Sequence, residues 1–472
     1  MLTAPSLNCT ARALLADLAK RSAGAVIAAA ITTAPLALPA RAAEADRGPS
    51  LIRDAEIEGL MRLYTKPIFG AAGLNPGAVR VYLINDSRIN AFVAGGQRIF
   101  INTGLLAQAN TPNQVIGVLA HETGHIAGGH LARLGIELDR QSTATIIGML
   151  LGAAAMAGGA IAGDSQAAGA GQGLMLGTAS MSQRLILNYA RAMESSADQA
   201  ALKFLQATHQ SARGMLTLFQ KLANESIASI RYVDPYVLSH PMPFERIRNL
   251  ETAAKQSPYF EAEDAPELIL RHQLMQAKLV GFLSPSQTVF QRYPTSDTSL
   301  PGRYARAIAS FRSGDTQNAM ALIDTLIRDL PEDPYFWEIK GQALLEGGQP
   351  QAAIAPIKEA LRLLPTSSLL QLLYAQALLG TENKTNAGTA LAALKHAKET
   401  EKDMPRLYQY MAMSYGILGD VPRADLATAE AAYLRGDNKL ATEKAKIALV
   451  SLKRGSPDWL RASDLLNFAS RD

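Results

Sequence analysis

The sequence predicts two folds in one chain: a mixed α+β domain built around a metal-binding helix, and an all-α solenoid of helical hairpins behind it. Three observations predict this. His121-Glu122-Thr123-Gly124-His125 falls inside a helical stretch, short β-branched runs precede it, and glycine and proline recur every 34 residues beyond Pro301. At 472 residues, 48% hydrophobic and 19% charged, the chain has room for about three domains and is too apolar to be disordered.

The first 43 residues read as an address. Arg12, Lys20 and Arg21 precede an uncharged stretch from Ala23 to Ala40, and Ala40-Arg41-Ala42-Ala43 supplies small residues for cleavage. That order is expected of a secretory signal peptide over residues 1–43, removed near Ala43 or Glu44. The alternative is a membrane anchor, against which stand Pro35, Pro39 and the alanine-rich composition. Of the net charge of +4, +3 lies in this segment. The rest has no global field for a polyanion, so no nucleic-acid partner is expected. Cys9 is the single cysteine and lies in the same segment. Disulfide scaffolds, thiol nucleophiles and cysteine metal sites are therefore excluded from the remainder.

The elements follow in order. Leu51 to Leu63 alternates at helical spacing, and Pro67 is expected to end that helix. Val79 to Ile84, Ile89 to Val93 and Arg98 to Ile101 read as short strands, the last two around Gly95-Gly96. A helix is expected from Pro112 to Arg133, with Thr111 as its N-cap. Thr143 to Gly163 is uncharged but rich in glycine and alanine, unlike a leucine-rich span. It reads as a flap that touches a membrane surface peripherally, or as a Gly/Ala helix packed inside the domain. Helical patterning resumes from Ser182 to Leu222. Proline, serine and acidic residues gather at Ser257–Pro266 and Ser284–Pro301 and bracket one helix. The expected domains are thus 50–265, a connecting helix and linker over 266–300, and a repeat domain over 301–472.

In the repeat region Gly314 and Gly348 are 34 residues apart, as are Pro331 and Pro365. That is the tetratricopeptide period, and such solenoids bind peptide segments on a concave face. Gly380 and Gly419 fall near the turn positions with insertions, and Pro405 comes six residues late.

The chemistry lies in one helix and two later segments. Positions i and i+4 share a helix face, so His121 and His125 can hold one ion while Glu122 stands beside it as a base. Zinc needs a third protein ligand and one open position. A third histidine six residues beyond His125 is ruled out, because Leu131 stands there. Glu194 supplies the alternative, with Asp198 one turn on, able to accept from the outer nitrogen of a ligand histidine. His130 lies off the shared face and reads as structural.

Asn90-Ala91-Phe92, Asn102-Thr103-Gly104-Leu105-Leu106, the H-E-T-G-H helix, Glu194-Ser195-Ser196-Ala197-Asp198 and Ser239-His240-Pro241 through Glu245-Arg246 together resemble the gluzincin family of HtpX-like and CAAX-prenyl-type zinc metallopeptidases. With the signal peptide and the repeats, the chain is similar to the periplasmic β-barrel assembly-enhancing protease group. The resemblance implies one Zn²⁺ per chain and a periplasmic endopeptidase. Its substrates would be misfolded or stalled envelope proteins, and its repeats would meet substrate or the outer-membrane assembly machinery. In this reading His121, His125 and Glu194 bind zinc, Glu122 takes a proton from water, and strand Ile99 to Asn102 offers its edge to substrate. His240 has two readings from its residues: a fourth ligand that displaces the water, or a stabiliser of the developing oxyanion. The resemblance favours the removable ligand and leaves Arg246 as the oxyanion candidate. A reading from a different class is a chaperone-like binding module in which the repeats dominate and proteolysis is incidental.

Overall fold

Residues 50–134, 136, 189–228, 236, 240 and 243–469 are described by the structure, a computed structural model. The expected signal segment 1–43, the uncharged run 143–163, Ser239 and Pro241 lie outside these residues. Among those described, no helix is long and apolar enough to cross a membrane.

The chain opens with β1 (Leu51–Ile52), α1 (Ala55–Ala71), β2 (Arg80–Ile84), β3 (Ala91–Ala94) and β4 (Arg98–Asn102). The sheet order is β1-β2-β4-β3, with β2 and β4 parallel and both outer pairs antiparallel. Strand alternation sorts the faces: Leu83, Ile99, Ile101 and Ala91 are buried, whereas Arg80 and Arg98 are exposed. Gly95 and Gly96 turn the β3–β4 hairpin at φ 57° and 94°, values that favour glycine. The expectation that β4 offers a free edge is corrected, because β2 and β3 pair with both of its sides. The edge strands are β1 and β3.

Helix α1 also departs from expectation, running through Pro67 to Ala71. A proline inside a helix costs about 3 kcal/mol. Beyond it Ile68 and Phe69 are fully buried, and burying two such side chains yields about 3–6 kcal/mol, enough to carry the helix on.

Next come α2 (Thr103–Gln108) and α3 (Pro112–Ala127), which holds the H-E-T-G-H motif. The Thr111 side chain caps α3 by accepting from the Gln114 amide, as expected. The helix does not reach Arg133. It stops at Ala127, turns at Gly128-Gly129, and helical structure resumes over 130–134. Helices α4 (189–207), α5 (Arg213–Ala228) and α6 (Phe244–Ala254) complete this half. Their buried residues, including Ala201, Leu205, Met215, Phe219 and Leu250, share one core with α1, the sheet and α3.

Helix α7 (Pro266–Leu283) belongs to both halves. Met275 and Leu279 pack into the first core, while Leu274, Ala277 and Val280 pack into that of the repeats. After α8 (Ser286–Arg292) the repeats begin as α9 (Leu300–Arg312), α10 (Thr316–Asp329), α11 (Pro334–Glu346), α12 (Pro350–Leu363), α13 (Ser368–Leu379) and α14 (Lys384–Lys398). The first helices of these three pairs start 34 residues apart. Helices α15 (Pro405–Leu418), α16 (Val421–Leu434), α17 (Asn438–Ser451) and α18 (Pro457–Ala469) follow. Gly380 is not the turn residue of the third pair but the helix cap; Glu382, at φ 52°, takes the left-handed seat that Gly314 and Gly348 hold in their pairs. Pro405 opens its helix, whereas Pro331 and Pro365 precede theirs, so the helical register slips by three residues rather than six.

One buried ion cluster joins the halves. Lys278 on α7 lies 2.8 Å from Asp54, 3.3 Å from Glu56 and 3.2 Å from Glu338 on α11, and Tyr304 on α9 donates to Glu56 at 2.9 Å. Burial pushes Glu56 up to about 8 and Glu338 up to about 7, against the pull of Lys278. Replacing Lys278 with Met strands buried carboxylates, so stability at pH 8 is expected to fall by about 3–5 kcal/mol in denaturant titrations. The sign with pH follows from the raised values. At pH 5 both glutamates are protonated and need no counter-charge, so the loss there is expected to be smaller.

Candidate metal centre

Helix α3 presents His121 and His125 one turn apart, and α4 runs beside it close enough to bring Glu194 to the same point. The approach depends on Gly124, where a Cβ would stand 2.8 Å from the Ala197 carbonyl oxygen. Gly117 has the same relation to α5, a Cβ there falling 2.4 Å from that of Met215. Backbones this close bury the functional side chains. His121 and Glu122 are fully buried, and Glu194, Asp198 and His240 nearly so.

Four donors converge. His121 Nε2 lies 3.1 Å from His125 Nε2 and 3.3 Å from His240 Nδ1. Glu194 oxygens lie 3.3 Å from both His121 Nε2 and His125 Nε2 and 3.0 Å from His240 Nδ1. Donors about 2.0–2.1 Å from one tetrahedral ion stand about 3.3–3.4 Å apart, so the observed edges fit a zinc-sized cation. The chemistry fits too: two imidazoles, a carboxylate and a third imidazole suit a borderline ion better than a hard one. Neither carboxylate oxygen of Glu122 receives a hydrogen bond, though His240 Nε2 stands 3.4 Å from Oε1. A buried carboxylate so placed is ready to accept from a water beside the ion.

Outer contacts hold these groups. Asp198 Oδ1 lies 2.9 Å from His121 Nδ1, and Arg246 from α6 grips Asp198 through Nε at 2.6 Å and Nη2 at 2.8 Å. Arg246 Nη1 also reaches Glu194 at 3.0 Å. Phe219 meets the His121 ring edge-on at 5.8 Å, and Tyr236 lies 4.6 Å from the ring of His240. His130 Nδ1 lies 3.0 Å from the outer nitrogen of His125. All seven residues singled out in the sequence for this site therefore meet at one place. Sequence reasoning missed Phe219 and Tyr236, which carry no motif, and the contact of His130.

The charges are strongly coupled. Burial opposes a proton on His121, but Asp198 and Glu194 outweigh it and push the imidazole up to about 9. The same three histidines hold Glu194 far below the usual carboxylate range despite its burial. Burial raises Glu122 to about 7 and lowers His240 against the opposing pull of Glu194. The centre opens on a cavity of about 1000 Å³, lined by Glu122, His125 and Glu194 with Phe92 and Val93 of the edge strand, Leu131, Met193 and Leu202.

Two histidines and a glutamate from a second helix, with a buried glutamate between them and an edge strand alongside, form the arrangement of the metal-dependent peptidases. Residues 61–254 match peptidase family M48 and residues 302–440 match the tetratricopeptide repeat. The chain is 31% identical over 205 residues to the metalloprotease LoiP of Escherichia coli K12, covering 42% of this chain and 72% of that one. It belongs to peptidase family M48. It is also 26% identical over 328 residues to a beta-barrel assembly-enhancing protease of Yersinia pestis, covering 67% of this chain and 65% of the relative. The corresponding Escherichia coli K12 protein is 24% identical over 309 residues, covering 63% and 60%. The match thus spans 60–65% of the length of these two assembly-enhancing proteases.

Because His121 holds its proton up to about 9, a cation entering at pH 7 must displace it. Calorimetric titration of the metal-free chain in two buffers of different ionisation enthalpy is expected to show about one proton released per ion bound, falling towards zero above pH 9.

Proposed function

We propose that the chain is a periplasmic zinc endopeptidase that hydrolyses misfolded or stalled envelope proteins, with the repeats recognising substrate or the outer-membrane assembly machinery. The observation that carries the reading is the cluster of His121, His125 and Glu194 at tetrahedral spacing, with buried Glu122, whose oxygens receive no hydrogen bond, at its side. Those three residues would hold the zinc. A divalent ion there would acidify a neighbouring water and polarise a carbonyl. Glu122 takes the proton of the attacking water and passes it to the leaving nitrogen. Edge strand β3 pairs with an extended substrate backbone, which tolerates many sequences, and the apolar cavity wall receives side chains. Asp198 keeps the His121 proton on its outer nitrogen. Arg246, with Asp198 and Glu194 on its guanidinium, positions both carboxylates and, from the wall of the cavity, is also the candidate to stabilise the developing oxyanion. His240 would hold the ion as a fourth ligand, and in that place it would keep water from it. A protease working among unfolded chains gains restraint from such a stop. The location rests on residues 1–43 and on the similarity to the assembly-enhancing proteases.

Replacing Glu122 with Gln is expected to leave about one zinc per chain while proteolysis of an unfolded envelope protein falls by about 10²–10⁴-fold. Full activity in that variant would end the assignment. If the same variant restores envelope defects as well as the wild type does, the repeats act as a chaperone-like binding module instead. Replacing His240 with Ala is expected to raise turnover of a small unstructured peptide and to cause self-cleavage on storage. A hundredfold fall at unchanged zinc content would assign His240 to transition-state stabilisation.

A further inference from the structure

His130 stands five residues beyond His125, about 140° round a regular helix and pointing away from it. The chain does not remain a regular helix. Helix α3 ends at Ala127, Gly129 adopts a left-handed φ of 61°, and the turn swings His130 back over the motif. Its Nδ1 comes to rest 3.0 Å from Nδ1 of His125, the two rings edge-to-face at 5.0 Å and 85°. His130 is buried there and shares the wall of the cavity. The seat is shaped for it: a Cβ on Gly128 would lie 2.2 Å from His130 Nε2 and 2.6 Å from Cδ2. Glycine at 128 is what lets the ring lie against the turn.

We propose that His130 is a positioning residue that fixes the tautomer and orientation of His125 at the metal centre, as Asp198 does for His121. The proposal rests on the metal-centre reading above. For Nε2 of His125 to face the ion, its proton must sit on Nδ1, and that N–H needs an acceptor. Nδ1 of His130 is the acceptor, which places the His130 proton on Nε2. The two ligand histidines therefore lean on different partners, an ionised carboxylate for His121 and a neutral imidazole for His125. The Gly128-Gly129 turn is the device that delivers the second.

Three variants of the full chain test this by zinc affinity in chelator competition and by the visible spectrum of the cobalt-loaded protein. His130→Phe keeps the ring volume without the acceptor, and Gly128→Ala pushes an intact His130 out of its seat. Each is expected to weaken zinc binding by about 10–100-fold and to shift the cobalt bands. His130→Asn returns an acceptor oxygen and is expected to bind zinc within about threefold of the wild type. If His130→Phe binds zinc as the wild type does, or if His130→Asn loses as much affinity as His130→Phe, the proposal is overturned and His130 is packing. If the wild-type chain itself binds neither zinc nor cobalt, the metal centre fails and this proposal with it. Far-UV circular dichroism of the metal-free variants separates lost fold from lost affinity. Should His130→Phe not fold, Gly128→Ala with His130→Asn decides between the same outcomes.

Discussion

The carboxylate of Glu194 has to stand, ionised and nearly dry, 3.0–3.3 Å from the nitrogens of three imidazoles, and most of the peptidase half is arranged to make that tolerable. An isolated carboxylate in such a place would take up a proton rather than stay charged. Arg246 prevents this by meeting Glu194 and Asp198 together, and the imidazoles add their own attraction. The geometry in turn requires α3 and α4 to run with their backbones almost touching at Gly124 and Ala197. Any larger residue at 124 would separate the helices and move Glu194 away from His121. Packing at that one crossing therefore decides whether four donors share a point or form two unrelated pairs.

The edge strand and the cavity follow from the same placement. With α3 beneath β3, the side chains of Phe92 and Val93 come to the rim of the cavity that holds Glu122 and His125. β4 lies inside the sheet, so β3 is the strand whose backbone faces that cavity's side of the sheet. Tyr82, Phe100 and Phe92 stack across three strands at 5.2 and 5.3 Å, which ties β3 to the rest of the sheet beside the cavity.

The repeats are not a loosely tethered appendage. Helix α7 gives one face to each core, and Lys278 ties Asp54 and Glu56 at the start of α1 to Glu338 in the second helical pair. A buried cluster of this kind contributes little net stability over an apolar one, yet it is costly to break once formed. Arg53 adds a more exposed link, with its guanidinium between Glu58 and Glu401.

The sequence by itself determined whatever depends on local spacing. The i, i+4 pair of His121 and His125, the Thr111 cap, the Gly95-Gly96 hairpin and the 34-residue period are all consequences of backbone geometry repeated along a chain, and each is legible without a fold. Glu194 and Asp198 were legible as an i, i+4 acidic pair downstream of the motif, and His240 and Arg246 through the resemblance of their segment to a known family, although nothing in one dimension says that they meet. Tertiary structure decided what competes with local rules. Burial of Ile68 and Phe69 carried α1 past Pro67, and sheet order placed β3 rather than β4 at the edge. The turn at Gly128-Gly129 returned His130 to a face from which regular helical geometry excludes it. The functions of Phe219, Tyr236 and Lys278 were invisible for the same reason: a residue that acts by packing or counter-charge is defined by neighbours far away in the chain.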